Sequence, residues 1–173
     1  VCSFCATLLL LATANADGEK PIRALLITSG CCHNYDYQTA QLMDAAAGQK
    51  IKIEWKIVSE GGTGTKAEIE FYSNPDWAKG FDVVVHNECF ANTANPDYIR
   101  RITAAHKAGV HAVVTHCAMH TYRAAKIDDW PETLGVPSRP PQHQPNYPVT
   151  APHKVHTLHT GFPSHANTTT APL

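Results

Sequence analysis

The chain has almost no excess charge of either sign: 14 Lys and Arg stand against 15 Asp and Glu. Nothing in that balance points to nucleic acid or to an anionic membrane surface as a partner. It also lacks an apolar run long enough to cross a bilayer, which takes about 20 residues. The longest, centred on Leu8-Leu9-Leu10-Leu11, is soon interrupted. There is no internal repeat, which excludes a solenoid or propeller reading. There is no phosphate loop either. Gly61-Gly62-Thr63-Gly64 lacks the Lys-Ser/Thr ending and the strand, Gly-x-Gly-x-x-Gly and helix context that such a loop needs.

The Leu8–Leu11 run is followed by Ala14-Asn15-Ala16, an Ala-x-Ala cleavage pattern. Residues 1–16 therefore read as a secretory signal peptide, with the mature domain over 17–173 and export to the periplasm or the extracellular space. Cys2 and Cys5 leave with the signal. Cys31, Cys32, Cys89 and Cys117 remain. Export permits disulfides, but four cysteines are too sparse for a disulfide scaffold, and among them there is no Cys-x-x-Cys zinc spacing. Vicinal Cys31 and Cys32 are not expected to pair with each other.

What the chain does have is hydrophobic residues at 43%, enough for one globular core, and 11 histidines. Ile22 to Thr28 is almost wholly apolar, as in a strand covered on both faces. A polar turn through Cys31, Cys32, His33 and Asn34 leads to a helix over Tyr37 to Ala47, with Leu42 and Met43 inward and Gly48 as its stop. Ile51 to Ile57 alternates apolar and polar residues, so it is a strand nearer the sheet edge. Asn74-Pro75-Asp76 reads as the opening of a short helix. Phe81 to His86 is a third buried strand, and Asn95-Pro96-Asp97 caps a helix that runs to Ala108, with Ile99, Ile102 and Ala105 inward and Gly109 closing it. Val110 to Thr115 is a fourth strand, expected to be buried. Strands alternating with helices argue an α/β fold with a doubly wound, mostly parallel sheet. Beyond Trp130, Pro137, Pro140, Pro141, Pro145, Pro148 and Pro152 stiffen an extended segment that could lie over the site as a lid. The last twenty residues show no strong helix or strand pattern.

In such sheets, ligands bind at the carboxyl ends of the strands. The first strand delivers Cys31, Cys32 and His33 to that crest, with Tyr35 close behind. The third delivers His86, Asn87, Glu88 and Cys89. The fourth delivers His116, Cys117 and His120, then Arg123. His33 and His116 are candidates for general acid/base work, and otherwise for loop or structural histidines. Glu88 could orient a histidine or act as a base; the alternative is an exposed loop acid. Cys117 is either a thiolate nucleophile activated by a histidine or a small buried hydrophobe. Its neighbours two residues either side, Thr115 and Met119, are not the small residues a sharp nucleophile elbow favours. His116 and His120 would share a face on a helix and could bind a metal with help from His33, Glu88 or His153, but the Glu of the His-Glu-x-x-His pattern is absent. No metal ligand set is therefore assigned, and no motif names a cofactor. Arg123 could bind an anionic or polyhydroxylated ligand or form a surface salt bridge. Trp130, Tyr122 and Phe90 could stack on a sugar or pack in the core.

Several of these stretches, taken in order, resemble the ThuA-like (trehalose-utilisation) family. They are Ala24-Leu25-Leu26-Ile27-Thr28-Ser29-Gly30 with His33-Asn34-Tyr35, then Phe81-Asp82-Val83-Val84-Val85, then Gly109 through Ala118, then Pro152-His153. Leu158 to Pro163 matches more weakly. The resemblance implies a flavodoxin-like fold similar to class I glutamine amidotransferases, with a domain that continues past Leu173. It implies a small sugar or glycoside, such as a disaccharide or keto-glycoside, as the partner. It maps polar family positions to His33, His116 and His153. A cysteine at the position of Cys117 is not a general feature of that family. The expectation is an exported enzyme of carbohydrate metabolism in which His33 and His116 transfer protons, Glu88 assists, and Tyr35, Asn87, His120, Arg123 and His153 contact substrate. The alternatives are a Cys117-dependent amidohydrolase-like enzyme and a non-catalytic carbohydrate- or partner-binding domain.

Overall fold

The computed structural model describes residues 20–136 and two short strands at 147–149 and 166–168. The expected signal peptide over residues 1–16, His153 and most of the proline-rich stretch lie outside the described residues. Four strands, β1 (Ile22–Gly30), β2 (Ile53–Val58), β3 (Val83–Cys89) and β4 (His111–Val114), form one sheet in the order β2-β1-β3-β4. Every pairing in it is parallel, with Leu26 opposite Ile57 and Val85, and Val85 opposite Val113. This is the α/β sheet expected from the alternating pattern, in flavodoxin-like order. The order reverses between β1 and β3, where such folds bind ligands.

Helix α1 (Tyr35–Gly48) follows β1, and α2 (Pro96–Lys107) joins β3 to β4. Asn95 caps α2: its side chain accepts from the backbone N–H groups of Asp97 and Tyr98, and Pro96 fills the first turn, where no partner for an N–H is needed. Ile99 and Ile102 from α2 pack with Leu25, Ile27, Val84, Tyr72, Trp77 and Phe90 into the main core. A short helix that the sequence pattern does not signal, α3 (Asp129–Leu134), adds Trp130 to this cluster. The remaining strands, β5 (Tyr147–Val149) and β6 (Ala166–Thr168), pair antiparallel, so the last residues do contain one short strand.

Several expectations need correction. Residues 75–80 form a chain of turns rather than a helix. Asn74 accepts from Asp76 N–H as expected of a cap, but the bonds that follow close three-residue turns, such as Lys79 N–H to Asp76 O. Leu42 and Met43 are only half-buried, and α1 has no fully buried residue. Strand β4 is not buried: it stands at one edge of the described sheet, and Val113 is 49% exposed. Strand β3 runs three residues further than its apolar part, taking in Asn87, Glu88 and Cys89, because these pair in register with Thr28, Ser29 and Gly30. No helix among the described residues is long and apolar enough to cross a membrane.

Candidate active site

Alternation along β3 sends its polar end to two different places. His86 and Glu88 point to the core face, and both are fully buried. Glu88 Oε1 lies 2.9 Å from His86 Nδ1 and accepts from the hydroxyls of Tyr72 at 3.1 Å and Tyr122 at 3.3 Å. His86 Nε2 in turn lies 2.9 Å from His106 Nε2, and His106 Nδ1 donates to Val110 O. Burial pushes the Tyr72 and Tyr122 hydroxyls well above their ordinary range and lowers His106. Glu88 is therefore neither an exposed loop acid nor a group at the crest. It is the acceptor at the centre of a buried network that ties β3 to α2 and to the segment after β4.

Asn87 points to the opposite face. It donates to Thr28 Oγ1 and Gln38 Oε1, and it accepts from Thr115 Oγ1 at 2.6 Å. These bonds tie the ends of β1 and β3 and the residue after β4 to α1. Tyr122, Phe90 and Trp130 are core side chains rather than a sugar platform. The Trp130 indole N–H donates to Ala118 O, and Phe90 N–H donates to Thr121 Oγ1. These two bonds fix the turn that follows β4.

That turn carries the reactive groups. After β4 the chain passes through His116 at φ 35, a left-handed conformation that non-glycine residues adopt at a cost of order 1–3 kcal/mol. Residues 116–120 then form a tight 3-10 turn. The strained residue at the strand end is thus His116, and Cys117 is the residue after it. His116 is exposed and Cys117 half-buried. His33 comes over from the β1 end, its Nε2 2.8 Å from Cys117 Sγ. The rings of His33 and His116 meet edge to face at 5.0 Å between centroids. The Cys117 thiol is pulled down to about 5, first by the hydrogen bond it accepts from Cys89 and next by the one from His33. It is therefore a thiolate at neutral pH, which is the reactive form of cysteine. Cys89 is pushed up, because it is the donor to Cys117 and is also shielded from water.

Cys31 and Cys32 are joined as a vicinal disulfide, contrary to expectation. The turn accommodates the pair by placing Cys32 at φ 83. Tyr35 donates its hydroxyl to Cys31 O at 2.7 Å, and burial raises that hydroxyl above its ordinary range. A polar cleft of about 320 Å³ opens at the β1 end, lined by Ser29, His33, Asn34, Tyr35, Asp36 and Thr63. A second, of about 270 Å³, has His116, Asn87, Thr115, Tyr37, Gln38 and Leu42 in its wall. His33 and His116 thus each face an open cleft, with Cys117 bonded to the first and next in sequence to the second. His120 is half-buried, and burial lowers its ring below the ordinary histidine range. Arg123 is exposed, and its charge acts on both His120 and Cys89.

The crest thus brings together His33, His116 and Cys117, with Tyr35 beside them and His120 and Arg123 following on the same segment. It does not include Glu88. Cys89, which the sequence places at the crest without a role, belongs there as the thiol donor to Cys117. The donor atoms of His33, His116 and Cys117 lie within 4.8 Å of one another, a soft nitrogen–sulfur set that could hold a divalent ion such as zinc with one position open. Comparison of the chain with protein-family models, with curated proteins and with solved structures gives no match.

Proposed function

We propose that this chain is a hydrolase in which the Cys117 thiolate attacks a carbonyl carbon and His33 moves the protons. The observation that carries this reading is the 2.8 Å contact between His33 Nε2 and Cys117 Sγ. A nucleophile needs an adjacent acid/base within hydrogen-bond reach, and that is the pairing found. In the first step, sulfur bonds to the carbonyl carbon and the leaving group departs with a proton from His33. In the second, His33 takes a proton from water, which attacks the thioester and frees the thiolate. In this reading His116, at the strained strand end and open to solvent, binds the substrate oxygen. Glu88 takes no part in this chemistry.

A second reading is favoured by the polar cleft that His33 shares with Ser29, Asn34, Asp36 and Thr63. Hydroxyl, amide and carboxylate groups suit a polyhydroxylated ligand, which agrees with the ThuA-like resemblance and with an exported enzyme of disaccharide or keto-glycoside metabolism. In that reading, His33 and His116 carry the proton transfers and Cys117 tunes them.

p-Nitrophenyl acetate and p-nitrophenyl α-glucoside separate the two. The first reading expects a burst of p-nitrophenolate from the acetate that Cys117→Ser abolishes. The second expects cleavage of the glucoside that Cys117→Ser retains and His116→Ala loses. A burst that survives in Cys117→Ser overturns the first reading.

A further inference from the structure

Four sulfurs end up on one crest, and the nucleophile reading uses only one of them. The Cys31–Cys32 disulfide sits at the end of β1. Cys31 Sγ is 4.0 Å from Cys89 Sγ at the end of β3. Cys117 is in turn the group that most strongly raises the Cys89 thiol. The order in space is therefore Cys32, Cys31, Cys89, Cys117, running from an exposed residue through a buried one to a half-buried one.

The backbone is built to keep the middle contact short. Gly30 stands at φ +114 opposite Cys89 in the β1–β3 register, and a Cβ there would meet the Cys89 backbone nitrogen at 2.9 Å and its carbonyl carbon at 2.8 Å. Only glycine allows this approach. Cys31 N–H donates to Cys89 O, and the Tyr35 hydroxyl holds Cys31 O. Cys89 is 3% exposed, so a solution oxidant cannot reach it directly. One route to it runs through Cys31, whose sulfur lies 4.0 Å away.

We propose that these cysteines form a thiol–disulfide relay, with exposed Cys32 as the port for a low-molecular-weight disulfide and Cys117 as the far end. Each step is an exchange in which one S–S bond forms as another breaks. At the port, the Cys32 thiolate displaces one thiolate from the external disulfide. Cys31 then displaces the second, leaving Cys31–Cys32 oxidised and two external thiols. Cys89 next attacks Cys31 and releases Cys32 as a thiol, which takes up the proton Cys89 gives up. The Cys117 thiolate then attacks Cys89 and releases Cys31 as a thiolate, so the negative charge passes from Cys117 to Cys31. The net internal change reduces Cys31 and Cys32 and oxidises Cys89 and Cys117, with no further oxidant consumed. The far-end disulfide caps the Cys117 sulfur, so external redox state sets whether that thiolate is available. This relay does not depend on Cys117 attacking a substrate.

The test uses the full chain, reduced with dithiothreitol, desalted, exposed to oxidised glutathione, and acid-quenched at intervals. Disulfides are then mapped on non-reduced peptides by mass spectrometry. The expected sequence is a Cys31–Cys32 link first and a Cys89–Cys117 link later. Cys117→Ser, which lacks the resolving thiol, should trap a Cys31–Cys89 link. Cys31→Ser should form the Cys89–Cys117 link much more slowly than the wild type. The proposal is overturned if Cys89 stays unlinked in both the wild type and Cys117→Ser. It is equally overturned if Cys31→Ser forms the Cys89–Cys117 link as fast as the wild type. Should Cys31→Ser fail to fold, as circular dichroism would reveal, the Cys117→Ser map decides alone. Loss of the p-nitrophenyl acetate burst with normal exchange would overturn the catalytic reading and leave the relay standing.

Discussion

His33 and Cys117 lie 84 residues apart in the sequence and meet at 2.8 Å, nitrogen to sulfur, where the ends of β1 and β4 reach the same crest. Neither residue is held by local structure alone. Gly30 and the Tyr35 hydroxyl shape the turn that carries His33, and the Trp130 bond to Ala118 O shapes the one that carries Cys117.

Replacing His33 by Ala removes the acid/base partner and leaves the thiolate without one of its two donors. Turnover of p-nitrophenyl acetate should fall by roughly 10²–10⁴-fold, the usual contribution of a positioned acid/base group. Steady-state kinetics at neutral pH, with a circular dichroism control, read this directly. Activity within about twofold of wild type would remove His33 from the mechanism.

Glu88 belongs to the scaffold. Glu88→Ala strips His86, Tyr72 and Tyr122 of a common acceptor inside the core. Leaving a buried hydrogen-bonding group without its partner costs about 1–3 kcal/mol. Urea unfolding should show that loss, while the alkylation rate of Cys117 in the folded fraction stays unchanged. A variant of unaltered stability that has lost activity would return Glu88 to the catalytic group.

Gly30→Ala should be costly for a reason unrelated to helix or strand propensity. The left-handed φ alone carries about 1–3 kcal/mol, and the added carbon also meets the backbone of Cys89. A lower urea midpoint is expected, together with a slower Cys31–Cys89 exchange as the two strand ends are pushed apart. An unchanged midpoint would mean that the close approach of β1 to β3 is not needed.

A thiolate mechanism needs no metal, even though His33, His116 and Cys117 form a suitable donor set. Dialysis against a chelator should leave the p-nitrophenolate burst intact, and added zinc should suppress it by occupying Cys117. A burst that vanishes with the chelator and returns with zinc would assign the three residues to a metal centre instead.

The fold was legible because apolar runs and caps carry it. Ile22 to Thr28, the middle of β3 and the Asn95-Pro96-Asp97 cap each name their element by composition alone. Burial was less legible. The apolar run of β4 reads as a central strand, but composition does not say which strands flank it, and β4 stands at an edge of the described sheet. The polar end of β3 reads as a loop because Asn87, Glu88 and Cys89 disfavour strands in isolation. Their partners, Gln38, Thr115, Tyr72, Tyr122 and Cys31, come from elsewhere in the chain and satisfy them where they stand. Convergence of His33 and His116 followed from parallel strand order. The contact of Cys89 with both Cys31 and Cys117 did not, since it depends on one glycine conformation and on side-chain direction at three strand ends.

The most direct measurement is the pH dependence of Cys117 carbamidomethylation by iodoacetamide, followed peptide by peptide from about pH 4 to 9. Cys117 is held below the ordinary thiol range, so its charged form is lost only as pH falls through about 5. The rate should rise through about pH 5 and be flat by neutrality, and His33→Gln should move that midpoint upward. A rate still climbing near the ordinary thiol range of about pH 8–9 in the wild type, with no response to His33→Gln, would contradict the pairing of the two residues.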